Sequence, residues 1–163
     1  MKCLLIILPI LFCKLSSCQS PIKKSKQLAV INAKPVEVPI ENSIAKAYFA
    51  SGCFWCVEAI YESVIGVQES ISGYAGGFTK NPTYELSNTG KTGHAEAVEV
   101  YYNPKLVSFS TLLDVYFGSQ NVGQVNGQGP DRGSQYRSIV FYQNETQKTL
   151  ILNKISEIEK IQN

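Results

Sequence analysis

Along the chain the apolar positions change period several times, and each change marks an element. From 46 to 51, "KAYFAS" is a short apolar run with a glycine after it, the pattern of a buried strand. Phe54, Val57, Ile60, Tyr61 and Val64 then recur at three- and four-residue steps up to Gly66, which predicts an amphipathic helix with a glycine stop. Two strand-like runs follow: "VQESISGY" over 67–74, and "EAVEVYYN" over 96–103, with Val98 and Val100 on one face and Pro104 ending it. Ser108 reads as the cap of a helix carrying Phe109, Leu112, Leu113, Tyr116 and Phe117. "RSIVFY" (137–142) predicts a further strand, and Asn144 the cap of a last helix with Leu150, Ile151, Ile155 and Ile158.

The order is β-α-β-β-α-β-α, so the expected fold is a two-layer α/β sandwich with a ferredoxin-like, split βαβ core. Two connections, 75–94 and 118–135, are longer than the roughly two to six residues that most connections need, and read as loops that carry function.

Ahead of these elements the pattern is of another kind. Lys2 precedes an apolar run, "CLLIILPILFC", of 11 residues, followed by Lys14 and "LSSC" ending at Cys18. The run is short of the about 20 apolar residues that span a bilayer and reads as a secretion leader. "LSSC" resembles the lipobox of bacterial lipoproteins, which implies cleavage before Cys18, lipidation of Cys18 and an extracytoplasmic protein held to the membrane. From Gln19 to Lys46 prolines and lysines are scattered without a sustained period, as in a mobile tether. The expected division is a leader (1–17), a lipidated cysteine with its tether (18–46) and one folded domain from 47 to 163. At 163 residues and 44% hydrophobic content the chain suits one such domain.

The formal charge of +2 is unevenly spread. Seven of the 15 basic residues precede Ala47, which leaves 8 basic against 11 acidic residues in the folded part, a balance of −3. A phosphate-binding surface needs a basic face, so a nucleic-acid partner is excluded.

Candidate chemistry centres on "SGCFWCVEAIY" (51–61), where two cysteines and the chain's only tryptophan meet at the predicted helix start. A thiol at Cys53 would face unpaired N–H groups and the positive end of the helix dipole, which favours the thiolate. Cys56 follows one turn later, close enough to attack an oxidised Cys53. A zinc site fits poorly, because only His94 accompanies the pair and four ligands are needed. A structural disulfide and a thioredoxin-like C-x-x-C remain alternatives, although so small a loop restrains the unfolded chain little. Phe54 and Trp55 beside the sulfur suit a small apolar pocket for a methyl group on an electrophilic atom.

Four blocks then carry a resemblance: "GCFWCVEAIYESVIGVQESISGYAGG", "NPTYE", "TGHAEAVEVYYNP" and "GPDRGSQYRSIVFY". In order and spacing, from about Tyr48 to about Tyr142, they resemble the signature blocks of the peptide methionine sulfoxide reductase A family. The resemblance implies reduction of the S epimer of methionine sulfoxide, in proteins or free, without metal or flavin. It makes Cys53 the nucleophile, Glu96 the acid that protonates the sulfoxide oxygen, and Tyr84 and Tyr136 the hydroxyls that hold that oxygen. It makes Phe54 and Trp55 the pocket for the sulfoxide methyl and Asp131 an orienting group. His94, two residues before Glu96, is expected to be structural rather than a ligand, and Gly73, Gly76 and Gly77 to serve turns and close packing.

Some family members carry cysteine where this chain has Cys56, and no cysteine follows it here. The resemblance then implies a Cys53–Cys56 disulfide that a thioredoxin-like protein reduces. Two departures stand out. Gln120, Asn121 and Val122 replace the family's "HDP"-like stretch, which puts that loop's contacts in doubt. The chain also stops at Asn163, within a predicted helix, where the family continues through another segment; this reads as a partial sequence or a shortened variant. Two other classes of function compete: a general thiol–disulfide oxidoreductase, and a non-catalytic lipoprotein module with a structural bridge.

Overall fold

A computed structural model describes residues 35–161. The expected leader, the lipidation site Cys18 and the tether as far as Lys34 lie outside the described residues. Six strands and four helices follow in order: β1 (Ala45–Ala50), α1 (Phe54–Glu62), β2 (Val67–Ala75), α2 (Tyr84–Asn88), β3 (Ala95–Tyr102), α3 (Phe109–Gly118), β4 (Gly127–Gln128), β5 (Asp131–Arg132), a 3-10 turn (Ser134–Tyr136), β6 (Ile139–Phe141) and α4 (Glu145–Ile161).

The main sheet has the order β2-β3-β1-β6, with every neighbouring pair antiparallel. β1 and β2 therefore run the same way with β3 between them, which is the split βαβ arrangement of the expected ferredoxin-like sandwich. Alternation along β1 and β3 sends Ala45, Ala47 and Phe49 with Val98, Val100 and Tyr102 to one face, where α1, α3 and α4 cover them. Phe49 is fully enclosed, its ring stacked on Tyr61 at 4.7 Å and on Tyr116 at 5.5 Å. Burying a side chain of this size contributes roughly 1.5–3 kcal/mol, and Leu112, Leu113, Val98 and Val100 are buried beside it.

Local chemistry sets the helix ends. Ser108 caps α3 by accepting from the Thr111 amide at 3.0 Å, and Asn144 caps α4 by accepting from the Gln147 amide at 2.9 Å. α1 stops at Glu62, a turn before the expected glycine, because the Ser63 hydroxyl takes the Ile60 carbonyl at 2.6 Å and the chain turns back through Val64. Gly66, at φ +100, starts the return into β2.

Other boundaries differ from the sequence pattern as well. The folded chain begins before residue 47: Glu41 and Ile44 form a bridge, β1 starts at Ala45, and Lys46 pairs with Glu99 at 3.1 Å. The last strand is trimmed to 139–141, since the Arg137 guanidinium is drawn into bonds with the Ser134 and Gly93 carbonyls at 2.7 and 2.9 Å. The two long connections are not structureless. The first holds α2, and the second holds the β4–β5 hairpin and the 3-10 turn.

Candidate active site

The strand-to-helix corner at the end of β1 is the base of the site. Gly52 takes φ +68, and a side chain there would meet Cβ of Gln128 at 2.6 Å, so the corner needs glycine for both conformation and space. Cys53 follows as the N-cap of α1 in extended backbone, with no capping bond from its side chain. The Cys53 carbonyl accepts from the amides of Cys56 and Val57 at 3.1 and 3.3 Å, which closes the first turn.

The first N–H of α1 is used differently from the sequence expectation. Phe54 N donates to Oε2 of Glu96 at 3.1 Å, so the helix start holds the carboxyl rather than only facing a thiolate. Glu96 is 2% exposed on β3. Burial raises its carboxyl above the ordinary range, the Phe54 N–H opposes this, and the negative charge of Asp131 adds to the rise. A carboxyl in that setting carries a proton to higher pH than a surface glutamate does.

Cys56 is exposed one turn along, hydrogen-bonded to Cys53 and raised in pKa first by the Cys53 charge, then by burial and by Asp131. Both cysteines are free thiols.

Five aromatic residues gather around the site. Phe54 is buried at 5% exposure and contacts Trp55 at 5.2 Å, Tyr74 at 5.6 Å and Tyr84 at 6.3 Å. Trp55 stands 58% exposed with its ring stacked on Tyr84 at 5.6 Å and 23°. Tyr84 is the first residue of α2, which Thr83 caps by accepting from the Leu86 amide at 3.3 Å. Tyr136 ends the 3-10 turn: its carbonyl accepts from Gly52 N at 3.2 Å and its hydroxyl reaches Asn88 at 3.5 Å. Burial, and then the charges of Glu96 and Asp131, raise its phenol, with Tyr84 and Cys53 in the same field.

Cys53, Cys56, Phe54, Trp55, Tyr84, Glu96, Asp131 and Tyr136, all singled out from the sequence, are thus gathered at one end of the sheet. They come from α1 and its N-cap, α2, β3, β5 and the 3-10 turn. His94 stands behind them: its Nε2 donates to the Thr79 carbonyl at 2.9 Å, and its ring packs so closely on Gly77 that no side chain fits there. That is a clasp across the 75–94 connection.

Two features escaped the sequence reading. Tyr74 lies directly opposite Glu96 in the β2–β3 register. Gln120 is an acceptor hub: its Oε1 takes the hydroxyls of Ser51 at 2.5 Å and Ser138 at 2.7 Å and the Gln128 amide at 3.2 Å. The hub binds the Cys53 corner to the end of α3, the β4–β5 hairpin and the start of β6, and it supplies the contacts of the stretch that departs from the family's pattern. Alternation along "ESISGY" could have placed Tyr74 on the core face, but its partner across a 19-residue connection cannot be read from sequence.

Comparison with known proteins gives one consistent answer. The family profile described as "Peptide methionine sulfoxide reductase" matches residues 45–163. "Peptide methionine sulfoxide reductase MsrA" of Pasteurella multocida is 47% identical over 114 residues, 70% of this chain and 66% of that protein. The MsrA of Nautilia profundicola is 50% identical over 115 residues, 71% of this chain and 66% of that protein. The chain thus spans just under two thirds of the curated relatives it matches. Among solved structures, "Methionine sulfoxide reductase A of Corynebacterium diphtheriae" superposes with a TM-score of 0.67 at 28% identity, covering 78% of this chain and 66% of that one. Mxr1 from Saccharomyces cerevisiae in reduced form superposes with 0.67 at 30% identity, covering 81% and 77%.

Proposed function

This chain belongs to the peptide methionine sulfoxide reductase family, and from that membership we propose that it reduces the S epimer of methionine sulfoxide, within oxidised proteins or free, to methionine. The observation that carries the reading is the bond from Phe54 N to Glu96, which holds a buried carboxyl, its pKa raised by burial, beside the cysteine that starts α1.

In the proposed reaction the Cys53 thiolate attacks the sulfoxide sulfur. Glu96 gives its proton to the sulfoxide oxygen, while the Tyr84 and Tyr136 hydroxyls donate hydrogen bonds to it and Asp131 orients the group. Phe54 and Trp55 receive the sulfoxide methyl. The oxygen passes to Cys53 as a sulfenic acid and methionine leaves. The Cys56 sulfur then attacks the Cys53 sulfur, the sulfenic oxygen departs as water, and a Cys53–Cys56 disulfide remains. A thioredoxin-like dithiol reduces it by exchange, becoming oxidised in turn. No metal or flavin takes part.

The leader pattern supports a bacterial lipoprotein, anchored through Cys18 and working outside the cytoplasm. The electron donor is then an extracytoplasmic thioredoxin-like protein.

The test is mass-spectrometric titration with the separate S and R epimers of a methionine sulfoxide peptide, without added reductant. Stoichiometric loss of the S epimer and a two-hydrogen loss at Cys53–Cys56 is expected. A folded sample that consumes neither epimer yet exchanges with protein disulfides would establish a general thiol–disulfide oxidoreductase instead.

A further inference from the structure

Glu96 has one cross-strand neighbour. The β1–β3 ladder ends at Phe49–Val98, before it reaches the carboxyl, and on the other side β2 is the edge of the sheet. Tyr74 is the residue paired with Glu96 there, in a register that runs unbroken from Glu69–Tyr101 to Ala75–Ala95. Paired residues of an antiparallel ladder share a face with Cβ atoms about 5 Å apart. Beyond β2 the sheet has no further strand among the described residues, so Tyr74, its ring braced on Phe54 at 5.6 Å, is the residue paired with the acid on the edge side.

The strand itself is held in place at this point. Glu58 of α1 accepts from the Ser72 amide at 2.8 Å, which fixes the edge two residues before Tyr74 and occupies one of its free N–H groups. The other titratable groups around the carboxyl are Asp131 on β5 and Tyr136 in the 3-10 turn. Cys53 at the start of α1, and Tyr84 and Glu85 on α2, complete that field.

We propose that Tyr74 is a positioning residue for Glu96: its ring closes the open flank of the acid against water and so keeps the carboxyl in its proton-bearing form. The inference rests on the reading of Glu96 as proton donor. It adds a residue from an edge strand whose role is carried by the ring and not by the hydroxyl. Opening that flank lets water solvate the carboxylate, so the acid titrates at lower pH and the rate falls earlier as pH rises.

The experiment follows the protonated carboxyl of Glu96 by its infrared C=O band across a pH titration of the full chain, the band being assigned by its loss in Glu96→Gln. Tyr74→Phe keeps the ring and is expected to titrate with the parent protein. Tyr74→Ala, and Tyr74→Thr as a β-branched strand former in case alanine unfolds the edge, are expected to titrate about one pH unit or more lower. The alkaline limb of methionine sulfoxide reduction should move with them, and Asp131→Asn should lower the band's midpoint less than Tyr74→Thr does. An unmoved band in Tyr74→Ala or Tyr74→Thr would overturn the proposal, as would a Phe variant that shifts as far as they do. A band that shifts as expected in a chain that never consumes sulfoxide would uphold the role of Tyr74 and sink the reductase reading.

Discussion

Phe54 N and Glu96 Oε2 lie 3.1 Å apart although 42 residues separate them in sequence. The residue next to Cys53 is therefore bonded to the carboxyl proposed to protonate its substrate, and the spacing of acid and thiol is set by backbone. In Glu96→Gln the amide oxygen still accepts from Phe54 N, so the corner keeps its shape while the transferable proton is lost. Sulfoxide reduction at neutral pH should fall by about 10²–10⁴-fold with the fold intact, read by single-turnover kinetics alongside circular dichroism.

The same residue should trade stability for chemistry. Its folded carboxyl lies above the ordinary value of 4.5, so its contribution to stability is fully present below that pH and is lost as pH rises through the folded value. Glu96→Gln has no such titration. Melting curves of parent and variant should coincide in acid and diverge at neutral pH, with the variant the more stable. A variant that melts lower than the parent at neutral pH would contradict the sign.

Much of this was legible in the chain. Four strands and three helices follow from period changes that the core enforces, because Phe49, Val98, Val100, Leu112 and Leu113 must share one interior. Cys53, Glu96, Tyr84, Asp131 and Tyr136 were found through motif blocks, which carry identity without geometry. Tyr74 was not found, and Gln120 was noticed only as a departure from the family's pattern, without its role as a hub. A cross-strand register over a long connection, and an amide oxygen gathering three donors from three segments, are properties of tertiary placement with no local periodicity to announce them. The helix in "TYELSN" was missed for a related reason: five residues are too few to show a period, and only the Thr83 cap marks it.

Gly52→Ala tests how tightly the corner is built. Its φ of +68 strains any side chain, and the added methyl would press on Gln128, whose amide belongs to the Gln120 hub. A loss of about 2 kcal/mol is expected, seen as a lower urea midpoint with unchanged slope. Adding Gln128→Gly should restore the steric part and leave the backbone part, since the two have separate causes.

Cys56 should behave as the slower thiol. The Cys53 charge is the largest influence raising it, so Cys53→Ser should make Cys56 react faster with iodoacetamide at neutral pH. The reverse variant, Cys56→Ser, leaves the Cys53 sulfenic acid without the neighbouring thiol that would expel its oxygen as water. One turnover per chain with a thioredoxin-like donor is expected, with the sulfenic acid trapped by dimedone. Sustained turnover in that variant would remove Cys56 from the cycle.

Trp55 offers a readout of substrate entry, because it is the only tryptophan and stands 58% exposed at the rim. Its emission should lie at long wavelength in the free protein. A methionine sulfoxide peptide that covers the ring should shift it to shorter wavelength before any chemistry, most cleanly in Cys53→Ser. The ring is held by its stack on Tyr84 at 5.6 Å, and an aromatic pair of this kind is worth about 1 kcal/mol beyond its buried area. Tyr84→Phe keeps the stack and removes the hydroxyl, so it should lower kcat with little change in peptide affinity. Tyr84→Leu removes both, and should also weaken binding in the fluorescence titration by about fivefold. Equal affinities for the two variants would mean that the stack does not hold Trp55 for the substrate.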